Sequence, residues 1–105
     1  MAKDSKIIAA NAAFYAAFSA GDFAGMERIW ADDDGISCIH PGWPAITGRA
    51  TVIRSWRDIL QNPDRPQIVC AEPQAILDGD SARVLCIEIV DGTALAAANH
   101  FRRVG

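Results

Sequence analysis

The stretch Ser81–Phe101, SARVLCIEIVDGTALAAANHF, decides the fold. Read with a period of two, its first ten residues are apolar on both alternating sets: Val84, Cys86 and Val90 on one, Leu85, Ile87 and Ile89 on the other. A strand with two apolar faces needs cover on both. Asp91-Gly92 then turns the chain back, and Asp78-Gly79-Asp80 does the same before Ser81. Strands at Gln67–Leu77, Ser81–Val90 and Thr93–Val104 are therefore predicted to form a three-stranded antiparallel meander. Glu88 interrupts the first apolar set and reads as a carboxylate at the solvent or at a dimer edge, in preference to a catalytic acid.

Working back from the meander, the period changes to that of a helix. Ile7, Ile8, Phe14, Tyr15 and Phe18 line one face of a segment from Ser5 to Ala20. Gly21 accepts the positive φ of a helix stop, and the Asp22 carboxylate can cap the next helix, whose stripe is Phe23, Met26 and Trp30. Ile36–His40 reads as a short strand stopped by Pro41, which has no ladder donor. A third helix opens at Thr47 or Gly48 and runs to Leu60, with Val52, Trp56, Ile59 and Leu60 inward. The class is α+β, helices first and sheet second. Helices can cover one face of the sheet; a second copy covering the other predicts a homodimer.

A chain of 105 residues and 11.3 kDa is expected to make one domain, spanning residues 1–105. Half its residues are apolar and its net charge is −3, which suits a folded globule. Its arginines are scattered among acids, so no nucleic-acid partner is expected. The N-terminal residues are too polar for a signal or a membrane span, and a cytoplasmic protein is expected. Cys38, Cys70 and Cys86 are widely spaced among strand residues and read as small buried hydrophobes. No Cys or His pair has metal-ligand spacing, so no metal is expected.

The order helix, helix, short strand, helix, long meander, with AGDFAGMERIWADD (Ala20–Asp33), GRATVIRSW (Gly48–Trp56) and NHFRRVG (Asn99–Gly105), resembles the nuclear transport factor 2-like superfamily. Ketosteroid isomerases, SnoaL-like polyketide cyclases and scytalone dehydratases belong to it. The resemblance implies a cone-shaped fold in which three N-terminal helices pack on a curved antiparallel sheet. It also implies one more long strand after the turn that RRVG begins. This sequence stops at Gly105, so that final strand is expected to be missing. Strand exchange, or a tighter dimer, is the expected compensation for the unpaired edges.

The resemblance to ketosteroid isomerases is closest at YAAFSAGD, Tyr15–Asp22. It implies that Tyr15 is an oxyanion donor, that Asn99 stands where the isomerase has a protonated aspartate, and that His40 stands at the base position. An imidazole can take a proton near neutral pH, and an amide can donate without a raised pKa. His40 reads equally as a turn or core histidine held by a backbone carbonyl, and Tyr15 as a core residue with its hydroxyl at the rim. Asn11 and Asn99 are two amides on inward faces, the pattern of a polar spot in an apolar cavity. Trp43, Trp30, Trp56, Phe18 and Phe101, with Phe14, would line it for a flat, mostly apolar molecule; core packing also accounts for most of them. His100 alternates outward and receives no role.

Two functions follow. One is a cofactor-free isomerase, cyclase or dehydratase acting on a small hydrophobic carbonyl compound through His40, Tyr15 and Asn99. The other is a non-catalytic ligand-binding or dimerisation domain.

Overall fold

The computed structural model describes residues 2–103. Two helices come first, α1 (Ala2–Ala20) and α2 (Phe23–Ile29). Their junction forms as the sequence requires. Gly21 takes φ 66°, its N–H and that of Asp22 close on the carbonyls of Phe18 and Ala17, and the Asp22 carboxylate accepts from Gly25 N at 3.0 Å.

The next segment holds a hairpin that the sequence half revealed. The predicted strand Ile36–His40 shrinks to β1 (Ser37–Cys38), and β2 (Ile46–Thr47) pairs with it antiparallel. Between them Pro41 and Pro44 offer no ladder donors, so the chain turns, with Trp43 N donating to His40 O at 2.9 Å. Thr47, predicted at the start of a helix, is thus a strand residue. Gly48, at φ 88°, swings the chain into α3 (Arg49–Gln61). Arg49 ties that helix back: its guanidinium donates to Trp30 O at 3.1 Å and Ala31 O at 2.8 Å.

The meander is β3 (Ile68–Asp78), β4 (Ser81–Val90) and β5 (Thr93–Arg102), paired in that order. The predicted end of the last strand, Val104, lies outside the described residues. Glu72, at φ 54°, and Pro73 interrupt β3, and the register with β4 shifts between Ala71 and Gln74. Ala82, Val84 and Cys86 are buried, which fixes the inner face of β4. Cross-strand partners then place Cys70, Glu88 and Leu95 in one inner row, and Ala75, Val84 and Asn99 in another. The outer face carries Leu85, Ile87 and Ile89 with Val69 to one side and Ala94, Ala96 and Ala98 to the other.

The core lies between the helices: Ala17, Phe18, Met26, Val52, Trp56 and Leu60 are all buried together, with Phe14, Trp30 and Ile68 packed on them. The fold is the expected α+β arrangement of three helices on an antiparallel sheet. β5 is the last strand among the described residues. Among the described residues it pairs with β4 alone, and β1 with β2 alone, so no strand pairing there joins the two sheets. An Arg102–Asp33 ion pair spans from the end of β5 to the loop before β1. No helix among the described residues is long and apolar enough to cross a membrane.

Candidate functional site

Tyr15 lies on α1 one turn beyond Asn11, so both side chains project from one face of the helix onto the inner face of the sheet. There they meet Asn99 and Glu88. Tyr15 Oη is 2.7 Å from Glu88 Oε2, 3.0 Å from Asn99 Nδ2 and 3.5 Å from Cys86 Sγ. A phenol has one proton to give. That proton goes to Glu88, and the phenol oxygen accepts from the Asn99 amide. The second Asn99 N–H donates to Asn11 Oδ1 at 2.8 Å, and Asn11 Nδ2 donates to Cys70 Sγ at 3.5 Å. Asn11 is 1% exposed and Tyr15 7%, so these bonds form away from water. Burial, then the Cys86 and Glu88 contacts, push the Tyr15 phenol far above its ordinary range.

His40 sits elsewhere, at the mouth of the β1–β2 hairpin. Its ring is 4% exposed and packs edge to face on Trp43 and Trp56, at centroid distances of 4.9 and 4.6 Å. Nε2 lies 2.9 Å from Ser55 Oγ, and Ser55 Oγ donates to Val52 O at 2.6 Å. The serine proton is thereby committed, so Ser55 accepts from His40 Nε2–H. Nδ1 keeps the lone pair. Burial lowers the imidazole pKa, holding the ring neutral near pH 7. The Cys38 sulfur is 3.8 Å from both ring nitrogens.

The structure thus forms two polar clusters. Asn11, Tyr15 and Asn99 converge; among the described residues His40 makes no hydrogen bond to any of them. Phe14 separates the clusters, edge-on to Tyr15 at 4.9 Å and to Trp56 at 5.4 Å. Phe18 and Trp56 are core residues, with Trp30 tilted against Trp56 at 6.2 Å. The indole N–H groups of Trp30 and Trp56 are buried with no acceptor among the described residues. Trp43 is 46% exposed and can meet a ligand from outside; Phe101 is half-buried at the far end of the inner face, across from Ala82.

Glu88 is the residue that sequence reasoning set aside. It is half-buried, on the inner face, and its charge reaches thiols on two other strands. Cys38 is pushed up to about 12 by burial and then by Glu88. Cys70 is raised to about 11, chiefly by burial, with contributions from Cys86 and Glu88. Such thiols stay protonated at neutral pH and are poor nucleophiles. The signal for Glu88 was present, since alternation puts it on the same face as Val84 and Cys86. A groove of about 340 Å³ between α1 and β3 opens onto this cluster, with Asn11, Tyr15 and Cys70 in its wall beside Ile8, Ile68 and Pro73. A second cleft, of about 400 Å³ between α2 and α3, is lined by Arg49, Arg54 and Arg57 and holds none of the expected site residues. Among the described residues no group of His, Cys, Asp or Glu could hold a metal ion.

Residues 7–105 match the family of SnoaL-like domains. The chain belongs to that family. Among solved structures, this SnoaL-like domain is similar to a Streptomyces avermitilis protein of the NTF2-like family that bears the name of a dehydratase. The TM-score is 0.83 and the identity 33%, over 97% of this chain and 86% of that one. It is also similar to a Thiobacillus denitrificans protein named as a calcium/calmodulin-dependent protein kinase type II association domain, with TM-score 0.78 and 34% identity over 91% and 82% of the two chains. An NTF2-like protein with a cystatin-like fold from Novosphingobium aromaticivorans shares the fold at TM-score 0.63 and 20% identity, over 97% and 73%. Among curated protein sequences none matches.

Proposed function

We propose that this SnoaL-like domain binds a small, mostly apolar carbonyl compound and moves a proton on it without a cofactor, in an isomerisation, cyclisation or dehydration. The observation that carries this is the Tyr15 hydroxyl, buried and held by Asn99 at 3.0 Å beside a groove of ligand size. A preoriented donor in a dry site favours an oxygen that gains negative charge during the reaction. Tyr15 faces that oxygen, Asn99 and Asn11 hold Tyr15, and the apolar groove takes the ring. Two groups offer a lone pair for the proton. One is His40 through Nδ1, the base the sequence points to, with Trp43 beside it to contact ligand. The other is Glu88. The similarity to a protein named for a dehydratase supports the reaction class.

The test is solvent deuterium incorporation into a panel of small cyclic ketones in D2O, followed by proton NMR. Exchange above the buffer rate that drops about 100- to 1000-fold in Tyr15→Phe is the expected result. A panel with no exchange above buffer ends the reading.

A second reading rests on the outer face of the sheet. Val69 is 58% exposed and Leu85 37%, in line with Ile87, Ile89 and the alanines of β5. Such a face is covered by another copy of the chain, as a homodimer, with exchanged strands as one way to pair the free β5 edge. The similarity to a protein named as an association domain supports it. Sedimentation should show a dimer that Ile87→Lys dissociates; a monomer at high micromolar concentration rules it out.

A further inference from the structure

The hydrogen bonds of Tyr15 raise a difficulty for the carbonyl site, and Glu88 resolves it. The phenol's one proton lies on the 2.7 Å bond to Glu88 Oε2. A neutral ligand carbonyl competes poorly for it, because a charge-assisted bond is roughly twice as strong as a neutral one. Suppose now that a distant base removes the ligand's proton. The oxyanion left behind faces the Glu88 carboxylate across Tyr15, and two anions contest one proton. Like charges in a half-buried site oppose each other strongly. The conflict disappears when Glu88 itself takes the proton.

We propose that Glu88 is a catalytic residue, the base that removes the proton from the carbon next to the carbonyl group whose oxygen faces Tyr15. This rests on the carbonyl reading above. The step balances within the site. The carbon–hydrogen bond breaks and its proton goes to Glu88 Oε1. The bonding pair forms the new carbon–carbon double bond of the enolate, while the carbonyl π pair moves onto oxygen. Glu88 becomes a neutral acid at the moment the oxygen becomes an anion, so the Tyr15 hydroxyl swings from Oε2 to the enolate. Tyr15 donates more strongly in the transition state than in the ground state, which is what accelerates a reaction. Return of the proton from Glu88 to another carbon completes an isomerisation.

Three further features fit. Glu88 Oε1 accepts no hydrogen bond, and no Lys or Arg pairs with the carboxylate, among the described residues. The groups that face it are Tyr15 from α1, Cys86 from its own strand, Cys70 from β3 and Cys38 from β1, none of them a cation. Its cross-strand neighbours are Cys70 and Leu95, and Cys70 lies in the groove wall. A carboxylate so placed is oriented on one oxygen and free on the other.

The experiment compares wild type, Glu88→Gln, Glu88→Asp and His40→Ala, using deuterium exchange of cyclohexanone. The expected result is a loss of about 100- to 10,000-fold in Glu88→Gln with partial rescue in Glu88→Asp, which keeps the carboxylate. Glu88→Gln exchanging as fast as wild type, with the loss in His40→Ala instead, overturns the proposal and leaves the carbonyl reading standing. Absence of exchange in wild type overturns both. Circular dichroism of each variant separates lost chemistry from lost folding.

Discussion

The two polar clusters of this domain are alike in burial and different in direction. Around His40 every strong contact closes on itself: Nε2 is tied to Ser55, and the ring is walled by Trp43 and Trp56. Around Tyr15 the bonds run one way, from the Asn99 amide through the phenol to a carboxylate with a free oxygen. The first arrangement resembles a satisfied core histidine, and the second a group prepared to act. Burial alone does not distinguish them. Counting donors and acceptors does.

The comparison can be broken most severely from the His40 side. Trp56→Ala should cost about 3–5 kcal/mol in urea unfolding, because its ring joins Phe14, Phe18, Trp30 and His40. A cost under about 1 kcal/mol would mean that the wall is loose. On the other side, Tyr15→Phe should act mainly on chemistry. Its 100- to 1000-fold rate loss should come with a smaller stability loss of about 1–3 kcal/mol, for the Glu88 and Asn99 groups left without their partner. Asn99→Ala should cost about 1–2 kcal/mol in the same unfolding assay, since Asn11 and Tyr15 each lose one donor.

The smallest effect is a slope. His40 has a folded pKa below its unfolded value, so below about pH 6.5 the unfolded chain binds the proton more readily. Stability is therefore full above that pH and falls as the pH drops toward the folded value. His40→Gln should flatten this part of the thermal-stability profile; an unchanged slope would place the titrating group elsewhere.

Most of the fold was legible because its signals are local. Gly21-Asp22, Asp78-Gly79 and Asp91-Gly92 each demand a turn, and the meander between them follows. The β1–β2 hairpin was harder, since two residue pairs leave no period to read, and Thr47 looked like a helix start until Gly48 took a positive φ. In the site, the helical period put Asn11 and Tyr15 on one inward face of α1, and alternation along β5 put Asn99 opposite to His100. Alternation also put Glu88 inward, on the same face as Cys86, yet a lone carboxylate in an apolar strand reads as exposed until its partner is known. That partner is 73 positions away along the chain. His40 was legible as buried or working, and only the commitment of the Ser55 proton to Val52 O shows which nitrogen stays bare.

The central claim is that Glu88 holds the Tyr15 proton and gives it up when it becomes neutral itself. Tyr15 is the only tyrosine in the sequence, so a chain labelled with carbon-13 at tyrosine Cζ reports on this one phenol. Compared at one neutral pH in the folded proteins, the Cζ resonance should move clearly between wild type and Glu88→Gln, where a neutral amide replaces the carboxylate that accepts from the phenol. A Cζ resonance at the same position in wild type and Glu88→Gln would contradict the account.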